Sequence, residues 1–114
     1  MSLTHLTFYY RFNQEIKENI LPNNLTHLTL GEEFNQKISV PKSLIELEFY
    51  SNCPIKDNIP DFIENITILF NKQNNHKITN LPISIKKIKI SDMSKINLIE
   101  KIPFGCIIEQ KCII

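Results

Sequence analysis

Proline recurs at a nearly constant interval along this chain, and apolar residues recur in step with it. The prolines of this series stand 19, 19, 22 and 21 residues apart, at Pro22, Pro41, Pro60, Pro82 and Pro103. Five segments share the pattern apolar-x-x-apolar-x-apolar, at 3–8, 25–30, 44–49, 63–68 and 85–90. A repeat of this length is typical of a solenoid, in which each unit buries its apolar face only against its neighbours.

The repeated segment ends in strict alternation of apolar and polar residues, which is the period of a β-strand with one buried face. Strands 19 to 22 residues apart cannot be joined by tight hairpins, so they must be parallel. The remaining residues leave little room for an α-helix, and we expect extended or short 3₁₀ return arms. The prediction is a mainly β, leucine-rich-repeat-like solenoid of about five repeats. It forms one domain over residues 1–114, with repeats starting near 3, 25, 44, 63 and 85 and an irregular cap from about 104.

The repeat also predicts the core, because residues at equivalent positions should stack from coil to coil. The three predicted strand columns are Leu3-Leu25-Leu44-Ile63-Ile85, Leu6-Leu28-Leu47-Ile66-Ile88 and Phe8-Leu30-Phe49-Ile68-Ile90. The return arms should supply a second wall of Ile16, Ile38, Ile55, Ile78 and Ile96, with Phe12 and Phe34 at the corner. Asn13, Asn35 and Asn52 recur at the turn, where a side-chain amide can satisfy backbone groups of adjacent coils. We interpret them as a structural asparagine ladder.

The string LPNNLTHLTLGEEFNQKI at 21–38 resembles the FNIP repeat, a relative of the leucine-rich repeat. The family pattern runs roughly Leu-Pro-x-Ser-Leu-Thr-x-Leu-x-Phe-Gly-x-x-Phe-Asn-Gln-Pro-Ile. The resemblance is strong for the first two units, fair for the third and weak after about residue 70. It implies a protein of a social amoeba or of a giant virus that infects amoebae. Some giant-virus members resemble ubiquitin-ligase substrate receptors, with an F-box ahead of the repeats.

The outward strand face is the most informative surface, since its side chains change from neutral to acidic to basic along the stack. We expect it to bind a protein partner. The candidate contact residues are His5, Thr7, His27, Thr29, Glu46, Glu48, Tyr50, Lys87 and Lys89. A substrate-receptor module is an alternative, but no F-box-like segment precedes residue 3, and we expect no binding of a Skp1-type adaptor by this chain. A degenerate repeat protein with little retained function is another.

Other classes of function find less support in the sequence. Nucleic acid could bind at Lys86, Lys87, Lys89 and Lys95, but the net charge is only +1 and no aromatic residue stands beside them. There is no glycine-rich phosphate loop. His5 and His27 share a repeat column, and we interpret them as copies of one unit, not as metal ligands. We therefore expect no enzyme activity and no cofactor.

The cellular setting is predicted from what the sequence lacks. No signal peptide or membrane-length apolar run is present, and the three cysteines, Cys53, Cys106 and Cys112, have no CxxC spacing. We expect reduced thiols and a cytoplasmic protein (in the host cytoplasm if viral), with virion association left open. The first strand has no cap before it, so its edge is predicted to pair with another copy, another domain or a partner.

Overall fold

Six short strands form the framework of the protein. The computed structural model describes residues 3–70 and 76–111. The strands are β1 His5–Thr7, β2 His27–Thr29, β3 Glu46–Tyr50, β4 Asn65–Leu69, β5 Lys87–Ile90 and β6 Ile107–Gln110. They lie in one sheet in chain order, and each neighbouring pair is parallel. The predicted mainly β solenoid of about five turns is confirmed.

The periodic prolines mark the turn that leads into each strand from β2 to β6. In each of these turns the proline carbonyl accepts a hydrogen bond from the backbone N–H three residues later, over 3.1 to 3.3 Å. The bond from residue i to i+3 defines a β-turn, and it explains the fixed spacing between proline and the first apolar residue. The donors are Leu25, Leu44, Ile63, Ile85 and Cys106. The unit after Pro103 therefore keeps this turn, although its sequence has drifted from the repeat.

Backbone and hydroxyl groups tie successive coils together at the start of the strands. The carbonyl of Thr4 accepts hydrogen bonds from the N–H groups of Thr26 and His27, over 2.8 and 3.0 Å. Serines two residues after a proline add a side-chain bond to the preceding coil. Ser43 Oγ donates to the Leu25 carbonyl over 2.6 Å, and Ser84 Oγ donates to the Ile63 carbonyl over 2.8 Å. Polar groups at the turns are thus satisfied between coils.

The three predicted strand columns form the core from the second coil onward. Each of their members between residues 25 and 90 is at most 2% exposed. The first coil differs because, within the described residues, only the second coil packs against it: Leu6 and Phe8 are partly buried, and Leu3 is 47% exposed. The prediction of a buried Leu3 was therefore wrong. At the corner the Phe12 and Phe34 rings are stacked, with centroids 6.0 Å apart.

The return arms are extended in the first two coils and contain short 3₁₀ helices in two later ones, at Pro54–Asp57 and Met93–Leu98. Ile16 and Ile38 form an isolated parallel bridge across the first two arms. A second bridge joins Ile78 to Ile99. Ile96 was predicted for this wall, but it lies inside the 3₁₀ helix and is only partly buried. The six-residue helix lengthens the arm, so the wall position falls three residues later.

The C-terminal segment, expected to be an irregular cap, contains a sixth parallel strand in register. Ile108 continues the inward middle column next to Ile88. Gln110 takes the next inward position beside Ile90, and its Nε2 donates to the Ser91 carbonyl over 2.7 Å. A polar side chain thus ends an apolar column by binding the preceding coil. Cys112 and Ile114, also predicted to face inward, lie outside the described residues. No helix of the described residues is long and apolar enough to span a membrane.

Candidate functional site

Two columns of outward side chains run across the sheet, because the strands pair in register. The first column is His5, His27, Glu46, Asn65, Lys87 and Ile107. The second column is Thr7, Thr29, Glu48, Thr67, Lys89 and Glu109. Together these side chains make up the outward strand face. Each coil contributes one residue to each column. The face therefore changes from neutral to acidic to basic as the residue type changes from coil to coil.

A cleft of about 460 Å³ lies on this face. Its lining combines the outward columns with residues at the end of the last strand. The lining residues are His5, His27, Leu28, Thr29, Glu46, Glu48, Thr67, Lys89, Glu109, Gln110 and Lys111. Thr67 is only 4% exposed, although its position is outward. Neighbouring side chains therefore cover Thr67 at the centre of the face. The volume of the cleft falls in the range of ligand-sized clefts.

One histidine–carboxylate contact and two lysine–carboxylate ion pairs cross the outward strand face between strands. His27 Nε2 lies 2.9 Å from a carboxylate oxygen of Glu46, and Lys87 Nζ lies 3.7 Å from Glu109. The longest connection joins Lys111 Nζ to Glu48 Oε1 over 2.8 Å. β3 and β6 are three strand spacings apart, about 14 Å in a flat sheet, so two long side chains reach across β4 and β5. The acidic positions are thus partly neutralised within the chain.

The two histidines stack on each other at one end of the cleft. Their ring centroids are 4.0 Å apart and the ring planes differ by 10°. A neighbouring threonine hydroxyl holds Nδ1 of each ring, Thr4 at 2.9 Å from His5 and Thr26 at 2.8 Å from His27. The repeated Thr-His pair fixes the rings so that Nε2 points away from the threonines. In His27, Nε2 contacts the carboxylate of Glu46.

Eight of the nine predicted contact residues line one or both of two depressions. His5, His27, Thr29, Glu46, Glu48 and Lys89 line the cleft. Thr7 and Tyr50 line a smaller hollow of about 170 Å³ at the strand ends, which also contains Tyr9 and Tyr10. Burial, and the nearby carboxylates of Glu32 and Glu48, raise the pKa of Tyr50. Lys87 lies on the same face but lines neither depression.

Sequence reasoning missed the contribution of the last strand to the cleft. Glu109, Gln110 and Lys111 all line it. Their signal was the alternation that runs on after Cys106, which places Glu109 in the second outward column. At Gln110 a polar residue stands where the repeat has an apolar one, so the register could not be recognised from the sequence.

The turn asparagines behave differently from coil to coil. Asn13 Oδ1 accepts the backbone N–H of Asn35 over 3.0 Å, which is a bond of the kind expected for a ladder. Asn35 Oδ1 in turn accepts from the side-chain amide of Gln36 in its own coil. Asn52 Oδ1 is buried and has no hydrogen-bond donor within the described residues. The hydrogen bond between coils thus joins Asn13 to Asn35, where the Phe-Asn motif is intact.

Two of the cysteines, Cys53 and Cys106, lie within the described residues. Burial raises the pKa of the Cys53 thiol, which is 1% exposed, and also that of the Cys106 thiol. A raised pKa keeps a thiol protonated and therefore unreactive. No group of three or more His, Cys, Asp or Glu side chains within residues 3–70 and 76–111 is placed to hold a metal ion.

The fold and the ladder of paired strands define a repeat protein of the parallel β-solenoid class. The model of the FNIP repeat family matches the chain twice, at residues 1–33 and 12–52. The resemblance to the FNIP repeat found in the sequence is thus confirmed for residues 1–52. No curated protein and no solved structure matches the chain.

Proposed function

We propose that the protein is a non-catalytic interaction scaffold that binds a protein partner through its outward strand face. The observation that carries the proposal is the cleft on that face, where side chains of both charges stand in register on one parallel sheet. A sheet holds such side chains at fixed spacings, so a partner with complementary charges can be selected by register. The FNIP repeat supports the coarser statement that this is a repeat protein.

The charge arrangement favours a partner that carries an acidic side chain. Lys89 lines the cleft and makes no ion pair within the described part of the chain, whereas Glu46 and Glu48 are already paired with His27 and Lys111. An incoming carboxylate can therefore pair with Lys89 without breaking an existing ion pair. An incoming cation would first have to compete with Lys111 for Glu48.

Loss of binding in a surface variant tests this proposal. Glu46, Glu48, Lys87 and Lys89 are changed together to alanine, and capture of native partners is compared with that by the wild-type chain. The matched control removes two acidic and two basic residues from the return arms and turns, namely Glu33, Glu100, Lys37 and Lys77. Both variants must keep the circular dichroism spectrum of the wild type.

We expect the strand-face variant to lose specific partners that the control variant retains. Charge reversal by Lys89→Glu alone should weaken capture more than Lys77→Glu does. Equal capture by the strand-face variant and the control would contradict the proposal.

A further inference from the structure

We infer that the smaller hollow at the strand ends binds the guanidinium group of an arginine side chain on the protein partner. The inference rests on the proposed function only in taking a protein as the source of this arginine. The hollow has a volume of about 170 Å³, and its lining includes three tyrosines and two glutamates. Thr29 and Glu48 line both the hollow and the cleft, so one partner can occupy the two depressions together.

Two of the tyrosines stand on either side of a glycine. Backbone hydrogen bonds from the Phe8 N–H and the Leu30 N–H to the next coil continue the parallel pairing beyond β1 and β2. Tyr9, Gly31 and Tyr50 therefore form a third outward column. Two strand spacings, about 9.5 Å, separate the backbones of the two tyrosines. A planar group in contact on both faces takes about 7 to 8 Å, so one such group fits between them above the glycine.

The tyrosine rings are accessible to a cation from solvent. Tyr9 and Tyr10 are 79% and 53% exposed, and Tyr50 is half-buried. The face of an aromatic ring carries negative potential and attracts a cation placed over it. The chain makes one such contact itself, because the guanidinium carbon of Arg11 lies 5.9 Å from the centroid of the Tyr10 ring. A guanidinium group on these tyrosines is thus already compatible with the local geometry.

The two glutamates give the hollow its charge. Glu48 is paired with Lys111 over 2.8 Å, whereas Glu32 makes no ion pair within the described part of the chain. Burial raises the pKa of Tyr50, and the negative charges of Glu32 and Glu48 raise it further. Both carboxylates are therefore close enough to act on this tyrosine. An incoming cation can pair with Glu32 without displacing Lys111.

The shape and chemistry of the hollow favour arginine over lysine. A guanidinium group is planar, stacks on aromatic rings and can bind a carboxylate through two hydrogen bonds at once. A lysine ammonium group is more strongly hydrated and has no plane to stack. The partner would then place an acidic side chain beside Lys89 in the cleft and an arginine in the neighbouring hollow. Opposite charges side by side on the partner would match those on the outward strand face.

Titration with small probes tests the inference directly. Nα-acetyl-arginine methylamide is added to the isotope-labelled full chain, and amide chemical shifts are followed by nuclear magnetic resonance. We expect saturable shifts at Tyr10, Gly31 and Tyr50, with a dissociation constant in the millimolar range. The matched citrulline derivative has the same shape without the charge, and the lysine derivative has the charge without the plane. Both should bind about fivefold more weakly or worse.

The probes also define the outcomes that overturn the inference. Absence of saturable shifts with the arginine probe would overturn it. Equal binding of the citrulline probe would show that the charge is not recognised. Equal or tighter binding of the lysine probe, or of its trimethylated form, would show that the hollow does not select a guanidinium group.

Reversal of one charge tests the role of the unpaired carboxylate. Glu32→Lys should weaken binding of the arginine probe about fivefold or more, because it replaces an attraction by a repulsion. The matched control is Glu33→Lys, which makes the same change at an exposed neighbour outside the hollow. The control should stay within about twofold of the wild type. Equal effects of the two variants would contradict the inference.

Substitution of an exposed ring tests the role of the tyrosines. Tyr9→Leu should weaken binding of the arginine probe about two- to fivefold, since it removes one ring face and keeps an apolar side chain. Tyr9→Phe retains the ring and should bind like the wild type. Equal binding by the leucine variant and the wild type would count against an aromatic contact. The wild-type circular dichroism spectrum in each variant verifies that the fold is kept.

Capture of native partners separates this inference from the proposed function. A partner lost by the strand-face variant and retained in full by Glu32→Lys would overturn the arginine contact and leave the proposed function standing. Saturable binding of the arginine probe, together with equal capture by the strand-face variant and its control, would contradict the proposed function alone. Loss of the same partner in both the strand-face variant and Glu32→Lys, but not in Glu33→Lys, is the result that we expect.

Discussion

The first two coils and the later coils differ in sequence far more than in structure. The FNIP repeat model matches the chain up to residue 52, and the parallel register continues beyond it through β4, β5 and β6. Of the strands within the matched residues, β1 and β2 have three residues each and β3 has five, and the three strands beyond them have four or five. The similarity of a coil to the FNIP repeat model therefore does not indicate whether its strand pairs in register.

The reason lies in which positions the later coils changed. Along the inward columns Leu and Phe give way mainly to Ile, which remains apolar, has a similar volume to Leu and favours strands. The corner changed more: Phe34 stacks on Phe12, whereas the third coil has Ser51 and Cys53 in this part of the repeat. The third coil also has a 3₁₀ helix in its arm. Strand packing and the corner motif are thus separable parts of the repeat.

The largest test of this comparison is a pair of core truncations, Leu47→Ala and Ile88→Ala. Both residues belong to the middle column and are fully buried, one at the edge of the matched region and one beyond it. Each should lower the free energy of unfolding by ~2–5 kcal/mol, measured by urea denaturation. A loss below ~1 kcal/mol for Ile88→Ala alone would mean that the later coils do not fold together with the first ones.

The close approach of the first two coils gives the next largest effect. A Cβ atom at Gly31 would lie 2.6 Å from backbone atoms of Tyr9, so Gly31→Ala should cost ~1–3 kcal/mol of unfolding free energy. Gly105 is the control in the late region: its φ is +81° and nothing lies within 4 Å of the added atom. Gly105→Ala should cost ~1 kcal/mol through backbone strain alone. A smaller loss at Gly31 than at Gly105 in thermal melts would contradict the predicted clash.

The turn asparagines offer a smaller test. Asn13→Ala removes the bond to the Asn35 N–H and should cost about 1 kcal/mol. Asn52→Ala removes a buried oxygen without a donor in the described residues, and it should be neutral or slightly stabilising. Chemical denaturation of the two variants separates these outcomes. A larger loss at Asn52 would show that the ladder extends into the third coil.

The smallest effect concerns the late 3₁₀ helix and depends on pH. Asp92 Oδ1 accepts hydrogen bonds from the hydroxyl and the N–H of Ser94, which lower its pKa from the ordinary 3.8. A depressed folded-state pKa stabilises the fold above the unfolded value, and this contribution is lost as pH falls through the folded value. The stability difference between wild type and Asp92→Asn should therefore be constant near neutrality and shrink below about pH 3.8. A difference that grows on acidification would contradict the assignment.

Much of the fold could be predicted from sequence because residues at equivalent positions of successive repeats form one column across the sheet. The strand positions and the outward columns from His5 to Lys89 followed from spacing alone. The position of Ile99 in place of Ile96 could not, since it depends on the helix in the arm. Lys111 could not be assigned to the cleft either, because its contact with Glu48 joins β3 to the end of β6, which are not neighbouring strands. Leu3 was assigned to the core by its repeat position, but it is exposed in the first described coil.

The central claim is that residues 19 to 22 positions apart lie side by side on parallel strands. Interstrand nuclear Overhauser effects between backbone protons measure this directly in solution. The account predicts contacts that link the strand of Leu28 to that of Leu47, Leu47 to Ile66, and Ile66 to Ile88, each with parallel connectivity. Antiparallel cross-strand contacts, or the sequential pattern of α-helices in these segments, would contradict it.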